Sequence, residues 1–384
     1  MNIIYIFHSF TTMGGLERIF IDKANYLSEQ GHRVTLVTFD QGNAPSAYPI
    51  AAKVKHIDLG ILFYEQFRYG ILKRTIVRLK KEKIFFRKLQ ELTTQLKPDI
   101  MICASSDPTT SQMVTQLKDS SKKVIETHAA KYFVEKQDEM GKSLFRDISL
   151  KIRNKLLCKC IRKADAFVAL TQIDADNWSS VRHTEVIPNL LTKYPTETDC
   201  IPKLGKRVIT AGRLSKQKGY DILITAWEAV HQKHPDWILD IYGAGEDENS
   251  LRNQLLNSGL GSSVIIHTPT PEIYDKYMES DFYVLSSRWE GFGLVLTEAM
   301  SCGIPCVSFD CPYGPSDIIA DNEDGLLVEN GNAGQLAEKI CFLIENENIR
   351  LEMGKKAREN VKRYLPENII KQWEELFNSL NKNK

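Results

Sequence analysis

The chain has 384 residues, of which 42% are hydrophobic and 26% charged, so it is long enough for two domains. Its 50 basic residues balance 49 acidic ones, which excludes a general attraction to nucleic acid. The eight cysteines lack histidine partners at zinc spacing, so we expect reduced core cysteines and no metal site. No apolar run approaches the ~20 residues that span a bilayer, and a strand is predicted to begin by Ile3. We therefore expect no signal peptide and a protein that stays in the cytosol or lies on the inner face of a membrane.

The first half of the chain predicts a parallel sheet. A strand over residues 2–7 is followed by a glycine turn at 14–15, a helix over 16–30 and a strand over 33–38. Strand, helix and strand in this order form a βαβ unit, whose two strands lie parallel. Further strands are predicted at residues 98–103, 123–127 and 164–170, and residues 186–189 end this half.

Residues 68–89 carry a strong local positive charge, with nine basic residues against the single acid Glu82. The basic residues are Arg68, Lys73, Arg74, Arg78, Lys80, Lys81, Lys83, Arg87 and Lys88. The apolar residues that share one face at helical spacing are Leu72, Ile76, Leu79 and Phe86. Such a segment suits the anionic surface of a membrane, where each nearby Lys or Arg contributes about 1 kcal/mol, or a lipid-diphosphate acceptor. The alternative is a helix that packs its apolar face on the first domain and presents its lysines to water.

A polar, proline-bearing stretch over residues 192–206 predicts a linker between two domains. Strands and helices alternate again after it, so the fold class is α/β, with two Rossmann-like, doubly wound parallel-sheet domains at residues 1–191 and 207–365. The strands of the second domain are predicted at residues 207–210, 237–242, 264–266, 282–285 and 305–309. A final helix is predicted within residues 366–384.

The turn over residues 210–219 is basic and lies between a predicted strand and a predicted helix. Arg213 and Lys218 resemble the arginine and lysine of a G-R-x5-K-G element, which clamp the diphosphate of a sugar donor in the glycosyltransferase family described below. As a sugar leaves, negative charge grows on the diphosphate, and a forked guanidinium together with an ammonium stabilises it. At such a site, cationic side chains can stabilise the negative charge that a metal ion stabilises in other enzymes. A solvated basic loop is the alternative interpretation.

Residues 286–300 predict the turn around which the rest of the chain is organised. A strand over 281–285 precedes it and a helix begins at Leu294, with glycines between them. Free backbone N–H groups at such a helix N-terminus bind an anion, and Glu290 and Glu298 supply carboxylates that accept hydrogen bonds from hydroxyls. Phosphate next to hydroxyls indicates a nucleotide sugar. A solvated helix face is the alternative for two glutamates eight positions apart.

These stretches resemble glycosyltransferase family 4, the retaining glycosyltransferases of the GT-B fold. Glu290 and Glu298 match the family's E-x7-E signature, and residues 212–219 resemble its G-R-x5-K-G element. Residues 314–319 and 324–328 are similar to motifs of a branch that builds capsule, exopolysaccharide and O-antigen units. The resemblance covers nearly the whole chain and is strongest after Arg207.

The resemblance implies roles for the residues of the second half. Glu298 would accept hydrogen bonds from the ribose of the donor, and Glu290 would hold the hydroxyls of the transferred sugar or stabilise positive charge there. The N–H groups around Gly293 and Leu294 would contact phosphate. Phe292 would pack against the sugar, or it is a core aromatic.

In the first half, the turn at Gly14 and Gly15 resembles the family's glycine loop, which lets the backbone approach donor phosphate or acceptor. His128 follows a predicted strand at a place where many family members carry a histidine close to the donor sugar. Its imidazole can donate or accept a hydrogen bond at the reacting centre, and the alternative is a structural hydrogen bond. The candidate catalytic set is therefore His128 with Arg213, Lys218 and Glu290.

The fold implied by the resemblance is GT-B, in which the last helix, residues 366–384, crosses back to the first domain. A helix that caps the second domain is the alternative. The implied activity is transfer of a hexose or N-acetylhexosamine from a UDP-sugar to a lipid-linked surface polysaccharide or oligosaccharide. The new bond would be α, and no metal or other cofactor is expected. The protein would lie on the inner face of the membrane, with residues 68–89 as the contact.

Other classes of function stay open. Another GT-B enzyme, such as a nucleotide-sugar epimerase, would turn over a UDP-sugar without an acceptor, and a non-catalytic scaffold of a polysaccharide-assembly complex would bind nucleotide poorly. The first turn lacks G-x-G-x-x-G, which disfavours a dinucleotide oxidoreductase. The choice between UDP and GDP, the sugar and the acceptor depend on a few pocket contacts, and the sequence leaves them open.

Overall fold

A computed structural model of the chain describes residues 1–105, 108–128, 144–178, 183–198, 200 and 205–382. The chain divides into two compact units. The first combines Met1–Leu190 with Pro366–Lys384, and the second is Leu191–Leu365. Of the predicted linker, positions 199 and 201–204 lie outside the described residues.

Within the described residues, the first unit contains a seven-stranded parallel sheet of order β3-β2-β1-β4-β5-β6-β7. Its strands are β1 (Asn2–Ile6), β2 (Arg33–Thr38), β3 (Lys55–Asp58), β4 (Ile100–Ala104), β5 (Lys122–Glu126), β6 (Ala166–Ala169) and β7 (Thr184–Val186). The helices before Leu190 are α1 (Gly15–Glu29), α2 (Ile71–Leu96), α3 (Pro108–Gln116), α4 (Leu144–Ile161) and α5 (Gln172–Asn177). Strands β1 and β4 are apolar at nearly every position because a parallel sheet is covered on both faces.

Helix α2 is packed along only half of its length. In its C-terminal half, Phe85, Leu89 and Leu92 are buried in the same core cluster as Ile4 and Ile6 of the sheet. In its N-terminal half, no residue of 71–84 is buried, and Ile71 and Leu72 are 84% and 85% exposed. The prediction that the basic segment packs its apolar face on the first domain therefore holds only for the C-terminal half of α2.

The second unit contains, within the described residues, a six-stranded parallel sheet of order β10-β9-β8-β11-β12-β13. Its strands are β8 (Arg207–Ala211), β9 (Ile238–Tyr242), β10 (Val264–His267), β11 (Phe282–Leu285), β12 (Cys306–Asp310) and β13 (Gly325–Glu329). Its helices are α6 (Tyr220–Lys233), α7 (Glu248–Ser258), α8 (Ile273–Met278), α9 (Leu294–Ser301), α10 (Pro315–Ile318), α11 (Ala333–Glu345) and α12 (Glu347–Asn360). The chain runs outward from β8 to β10, returns to β11 beside β8, and runs outward the other way. Ligands of such sheets bind where the strand order reverses, outside the carboxyl ends of the two strands.

The last helix, α13 (Pro366–Lys382), packs on the first unit. Its buried apolar face includes Trp373, whose ring lies 4.2 Å beneath the ammonium of Lys23 on α1. Glu374 lies 3.0 Å from His32 at the start of β2. This helix therefore belongs to the same compact unit as the N-terminal sheet. Among the described residues, no helix is both long and apolar enough to cross a membrane.

Candidate active site

The candidate residues of the second unit lie at the carboxyl ends of β8 and β11, where its strand order reverses. The loop after β8 contains a 3-10 turn over Lys216–Lys218 and ends at Gly219, whose φ is +63°. A Cβ on Gly219 would lie 2.1 Å from the carbonyl oxygen of Ser286 at the end of β11. Only glycine permits this approach, and it brings the basic loop against the loop that carries Glu290.

Hydrogen bonds join these two loops. The hydroxyl of Ser286 donates to the carbonyl of Lys218 (2.9 Å), and the backbone N–H of Arg288 donates to the carbonyl of Gln217 (2.8 Å). Below them, the guanidinium of Arg288 forms two hydrogen bonds with Asp221 at the start of α6 (2.9 and 2.6 Å). The backbone around Lys218 is thus held before any ligand arrives, which favours a preorganised site.

Lys218 and Glu290 form an ion pair at the centre of this arrangement. The ammonium lies 2.7 Å from Oε1 of Glu290, and their side chains are only 16% and 8% exposed. The hydroxyl of Ser287 donates to the same carboxylate oxygen (2.5 Å). The structure therefore brings together two residues that the sequence nominated separately. Because the pair is largely buried, the effective dielectric constant is lower and the Coulomb interaction between the two charges is stronger than in bulk water.

Arg213 stands apart from that pair. Its side chain is 74% exposed, and among the described residues its ion-pair partner is Glu246, at 3.1 Å. Exposed pairs of this kind hold a side chain weakly. The guanidinium is therefore not fixed in place, and its role at the diphosphate stays a prediction.

Helix α9 begins directly after the loop of Glu290. Gly293 precedes its first residue, Leu294, with a φ of +101° that glycine adopts without strain. The first N–H groups of this eight-residue helix have no partner within the helix, a geometry that suits an anion. Glu298 lies one turn further along, and Tyr277 donates to its carboxylate at 3.4 Å. Burial, followed by the charge of Glu298, raises the pKa of Tyr277, so the phenol remains a donor.

Phe292 is a core aromatic in this structure. Its side chain is 3% exposed, and its ring packs edge-on against Tyr364 at 5.4 Å between centroids. A Cβ on Gly314 would lie 2.0 Å from the carbonyl oxygen of Phe292, so the Gly-Pro turn supports this loop from behind. The ring is buried in this structure, and its contact with the donor stays a prediction.

In the first unit, the glycine turn lies at the start of α1. Gly14 is the residue before the helix and Gly15 its first residue. A Cβ on Gly14 would lie 2.1 Å from a carboxylate oxygen of Glu17, and the hydroxyl of Thr12 donates to that carboxylate (2.6 Å). The buried carboxylate of Glu17 thus occupies the helix N-terminus at which the sequence predicted contact with donor phosphate or acceptor.

His128 is buried beside Glu126, the last residue of β5. Its side chain is 1% exposed, its Nε2 lies 3.0 Å from Oε1 of Glu126, and its ring packs on Phe20. Lys23 binds the other oxygen of Glu126. Burial raises the pKa of Glu126, but the charges of Lys23 and His128 lower it further, to about 2. Glu126 and Lys23 are polar partners that the sequence analysis missed. A glutamate inside an apolar strand was the available signal.

Two parallel-sheet domains, with a basic turn and paired glutamates at the strand reversal of the second, define a GT-B glycosyltransferase. Residues 13–191 match the family model described as Glycosyltransferase Family 4, and residues 200–360 match the model of Glycosyl transferases group 1. The chain belongs to glycosyltransferase family 4.

The chain is similar to several curated glycosyltransferases. It is 29% identical over 364 residues to an uncharacterized glycosyltransferase of Haemophilus influenzae, which covers 94% of this chain and 95% of that relative. It is 34% identical to the poly(ribitol-phosphate) alpha-N-acetylglucosaminyltransferase of Staphylococcus aureus, over 57% of this chain and 43% of the relative. It is 31% identical to the amylovoran biosynthesis glycosyltransferase AmsD of Erwinia amylovora, over 58% of this chain and 65% of the relative. The matches to these last two span less than two thirds of the relative's length.

Solved structures show the same fold. TarM of S. aureus superimposes with a TM-score of 0.81 at 20% identity, over 98% of this chain and 99% of TarM. Sucrose-phosphate synthase of Thermosynechococcus elongatus superimposes with a TM-score of 0.80 at 19% identity, over the whole of both chains. These similarities confirm the predicted GT-B fold.

Proposed function

We propose that this glycosyltransferase transfers a hexose or N-acetylhexosamine from a UDP-sugar to a lipid-linked surface polysaccharide or oligosaccharide, with retention and formation of an α-bond. The observation that carries the proposal is the enclosed pair of Lys218 and Glu290 beside the N-terminus of α9. One place then offers N–H groups and an ammonium to a diphosphate, and a carboxylate to sugar hydroxyls.

Named relatives and neighbours support the donor and the α-bond. A TarM structure contains UDP and alpha-GlcNAc-glycerol, and the pneumococcal O-GlcNAc transferase GtfA was solved with UDP and GlcNAc. Curated relatives include an alpha-N-acetylglucosaminyltransferase and the poly(glycerol-phosphate) alpha-glucosyltransferase of Bacillus subtilis. For this chain, Glu298 on α9 is the acceptor we assign to the ribose hydroxyls.

The chemistry follows from where charge develops. As the bond from sugar to diphosphate breaks, the N–H groups of α9 and the ammonium of Lys218 stabilise the departing diphosphate. Glu290, released from Lys218, holds the sugar hydroxyls and balances positive charge on the ring. The acceptor hydroxyl attacks from the face that the diphosphate leaves, and the diphosphate takes its proton. Cationic side chains and helix N–H groups carry out this charge stabilisation, so we propose that the reaction needs no metal.

Contact with an anionic membrane would bring the enzyme to its acceptor. The exposed N-terminal half of α2 and the turn before it present large apolar side chains among basic ones. These side chains are Tyr64, Phe67, Tyr69, Ile71, Leu72, Ile76, Leu79 and Ile84. A helix that exposes both apolar and cationic groups lies in the interface of an anionic bilayer. We propose this surface as the contact with the inner face of the membrane.

Donor binding is tested by thermal shift with UDP, UDP-sugars and GDP. A ligand at 100 times its Kd stabilises a protein by about 2.7 kcal/mol, so UDP or one UDP-sugar should raise the melting temperature clearly. Arg213→Ala should reduce that shift, whereas Arg252→Ala, an exposed arginine on α7, should not. A shift with GDP compounds alone would contradict the UDP assignment, and no shift at all would favour the scaffold.

Membrane contact is tested by sedimentation with vesicles of phosphatidylglycerol and phosphatidylcholine. Ile71→Asp combined with Leu72→Asp should weaken binding at least about tenfold, since each apolar side chain loses roughly 1.5–3 kcal/mol of burial. Leu256→Asp is the matched control, because Leu256 on α7 is 77% exposed. Equal binding by both variants would remove α2 from the membrane contact.

A further inference from the structure

A groove of about 880 Å³ lies between α2, α3 and α4 of the first unit. The three helices pack on the same face of the sheet, where Phe85, Val114 and Leu157 share one core cluster. The groove borders that core at Met113 and shares no residue with the candidate active site. Its volume is within the range of small-molecule sites.

Apolar side chains from all three helices line the groove. They are Leu79 and Phe86 of α2, Met113 of α3, and Ile152 and Leu156 of α4. Leu79, Ile152 and Leu156 are exposed to solvent. Of the fifteen large exposed hydrophobic residues in the described part of the chain, eight lie in residues 64–84 and two in α4. The exposed apolar surface of the protein is thus concentrated on this side, which marks a binding surface.

Cationic groups lie among these apolar side chains. Arg78, Lys83 and Arg153 line the groove, and its one acidic lining residue among those described is Glu82. Arg78 donates to Glu82 at 2.8 Å and to the hydroxyl of Thr109 on α3 at 3.2 Å, so it joins two walls of the groove. Within the described residues, Lys83 is exposed and has no ion-pair partner. The groove is therefore complementary to a ligand with a hydrocarbon chain and an anionic head.

We propose that this groove binds the hydrocarbon chain of a lipid that carries phosphate or diphosphate, with Lys83 beside the anionic head. This inference rests on the proposed lipid-linked acceptor and names where the lipid part of that acceptor is held. Two features favour a lipid chain over a second protein chain. The positive charge of α2 complements a phosphate, and the groove adjoins the apolar surface that we assign to the membrane.

The experiment is isothermal titration of the whole protein with octyl phosphate and decyl phosphate below the concentrations at which they form micelles. Burial of a methylene group contributes about 0.8 kcal/mol, so decyl phosphate should bind about tenfold more tightly than octyl phosphate. Inorganic phosphate tests the head alone and decanol the chain alone. Both should bind at least tenfold more weakly than decyl phosphate.

Variants locate the site. Ile152→Glu should weaken decyl phosphate binding at least tenfold, because it puts a carboxylate into the groove. Ile173→Glu, at an exposed position of α5 in the same unit, should not change it. Lys83→Glu should weaken binding, whereas Lys80→Glu, on the same helix but outside the groove, should leave it unchanged.

Three outcomes would overturn the proposal. Equal affinity for the octyl and decyl compounds would show that no chain is buried, and equal effects of Ile152→Glu and Ile173→Glu would place the ligand elsewhere. Inorganic phosphate binding as tightly as decyl phosphate would show a free anion site. The UDP thermal shift of the wild-type protein separates the two proposals. A wild-type protein that binds decyl phosphate but shows no shift with UDP or a UDP-sugar would defeat the donor assignment and leave the groove standing.

Discussion

Lys218→Ala is expected to lower kcat/KM by about 10²- to 10³-fold, which is the loss seen when one donor to a developing oxyanion is removed. The physical reason is the enclosure of Lys218, whose side chain is 16% exposed and whose ammonium lies 2.7 Å from Glu290. Charge placed in such a site needs little reorganisation as the diphosphate departs. The measurement is steady-state transfer of labelled sugar from the UDP-sugar that the thermal-shift panel selects.

Lys216→Ala is the matched control. Lys216 lies in the same 3-10 turn and is exposed, and its substitution removes the same positive charge. Lys216→Ala should therefore change kcat/KM by less than about threefold. Lys218→Ala combined with Glu290→Gln should lose much less than the product of the two single effects, because residues that act as a unit are not additive. Equal activities of the Lys216 and Lys218 variants would contradict the assignment. Turnover of UDP-sugar that never depends on an acceptor would favour the epimerase.

The part of the site that could be predicted from the sequence is the part carried by local signals. A glycine turn between a strand and a helix places Gly293 and the start of α9, and the same logic places Gly219 at the end of the basic loop. The ion pair of Lys218 and Glu290 joins positions 72 residues apart. That contact depends on β8 and β11 being neighbours, so neither motif reveals it alone.

Long-range packing accounts for what the sequence analysis missed. β3, Lys55–Asp58, went unpredicted because its four residues are polar or half-buried and lack an apolar run. Residues 186–189 are predicted only to end the first half, so β7, Thr184–Val186, also went unpredicted. A phenylalanine at position 292 gives the same sequence pattern in a sugar pocket and in a core. The packing of its ring on Tyr364 is a long-range contact that the sequence does not show.

The basic segment shows a limit of periodicity. An apolar stripe has the same spacing whether it packs on a core or stays exposed, so the sequence could not separate the two interpretations of residues 68–89. In the structure, each interpretation applies to a different half of helix α2. The C-terminal half of α2 reaches the sheet, whereas the half that carries Ile71 and Leu72 extends past it.

Glu126→Gln is expected to destabilise the first unit by about 3–5 kcal/mol, because it leaves the buried ammonium of Lys23 without its counter-charge. Urea unfolding monitored by fluorescence measures the loss. Lys23→Met combined with Glu126→Leu should restore much of it, since removal of both charges leaves no uncompensated ion. Asp236→Asn, which breaks an exposed pair with Lys206, should leave the unfolding midpoint unchanged.

The pH dependence of stability provides the second test of this buried cluster. The pKa of Glu126 is lowered to about 2 in the folded protein. Its contribution is therefore complete above the unfolded pKa of about 4.3 and is lost as pH falls towards 2. Glu126→Gln should lack that acid-dependent loss. Burial also lowers the pKa of Lys23, so the unfolded variant binds more protons than the folded one and its stability should rise towards pH 10. A variant as stable as the wild type at neutral pH would show that the buried ammonium of Lys23 does not depend on Glu126 for its counter-charge.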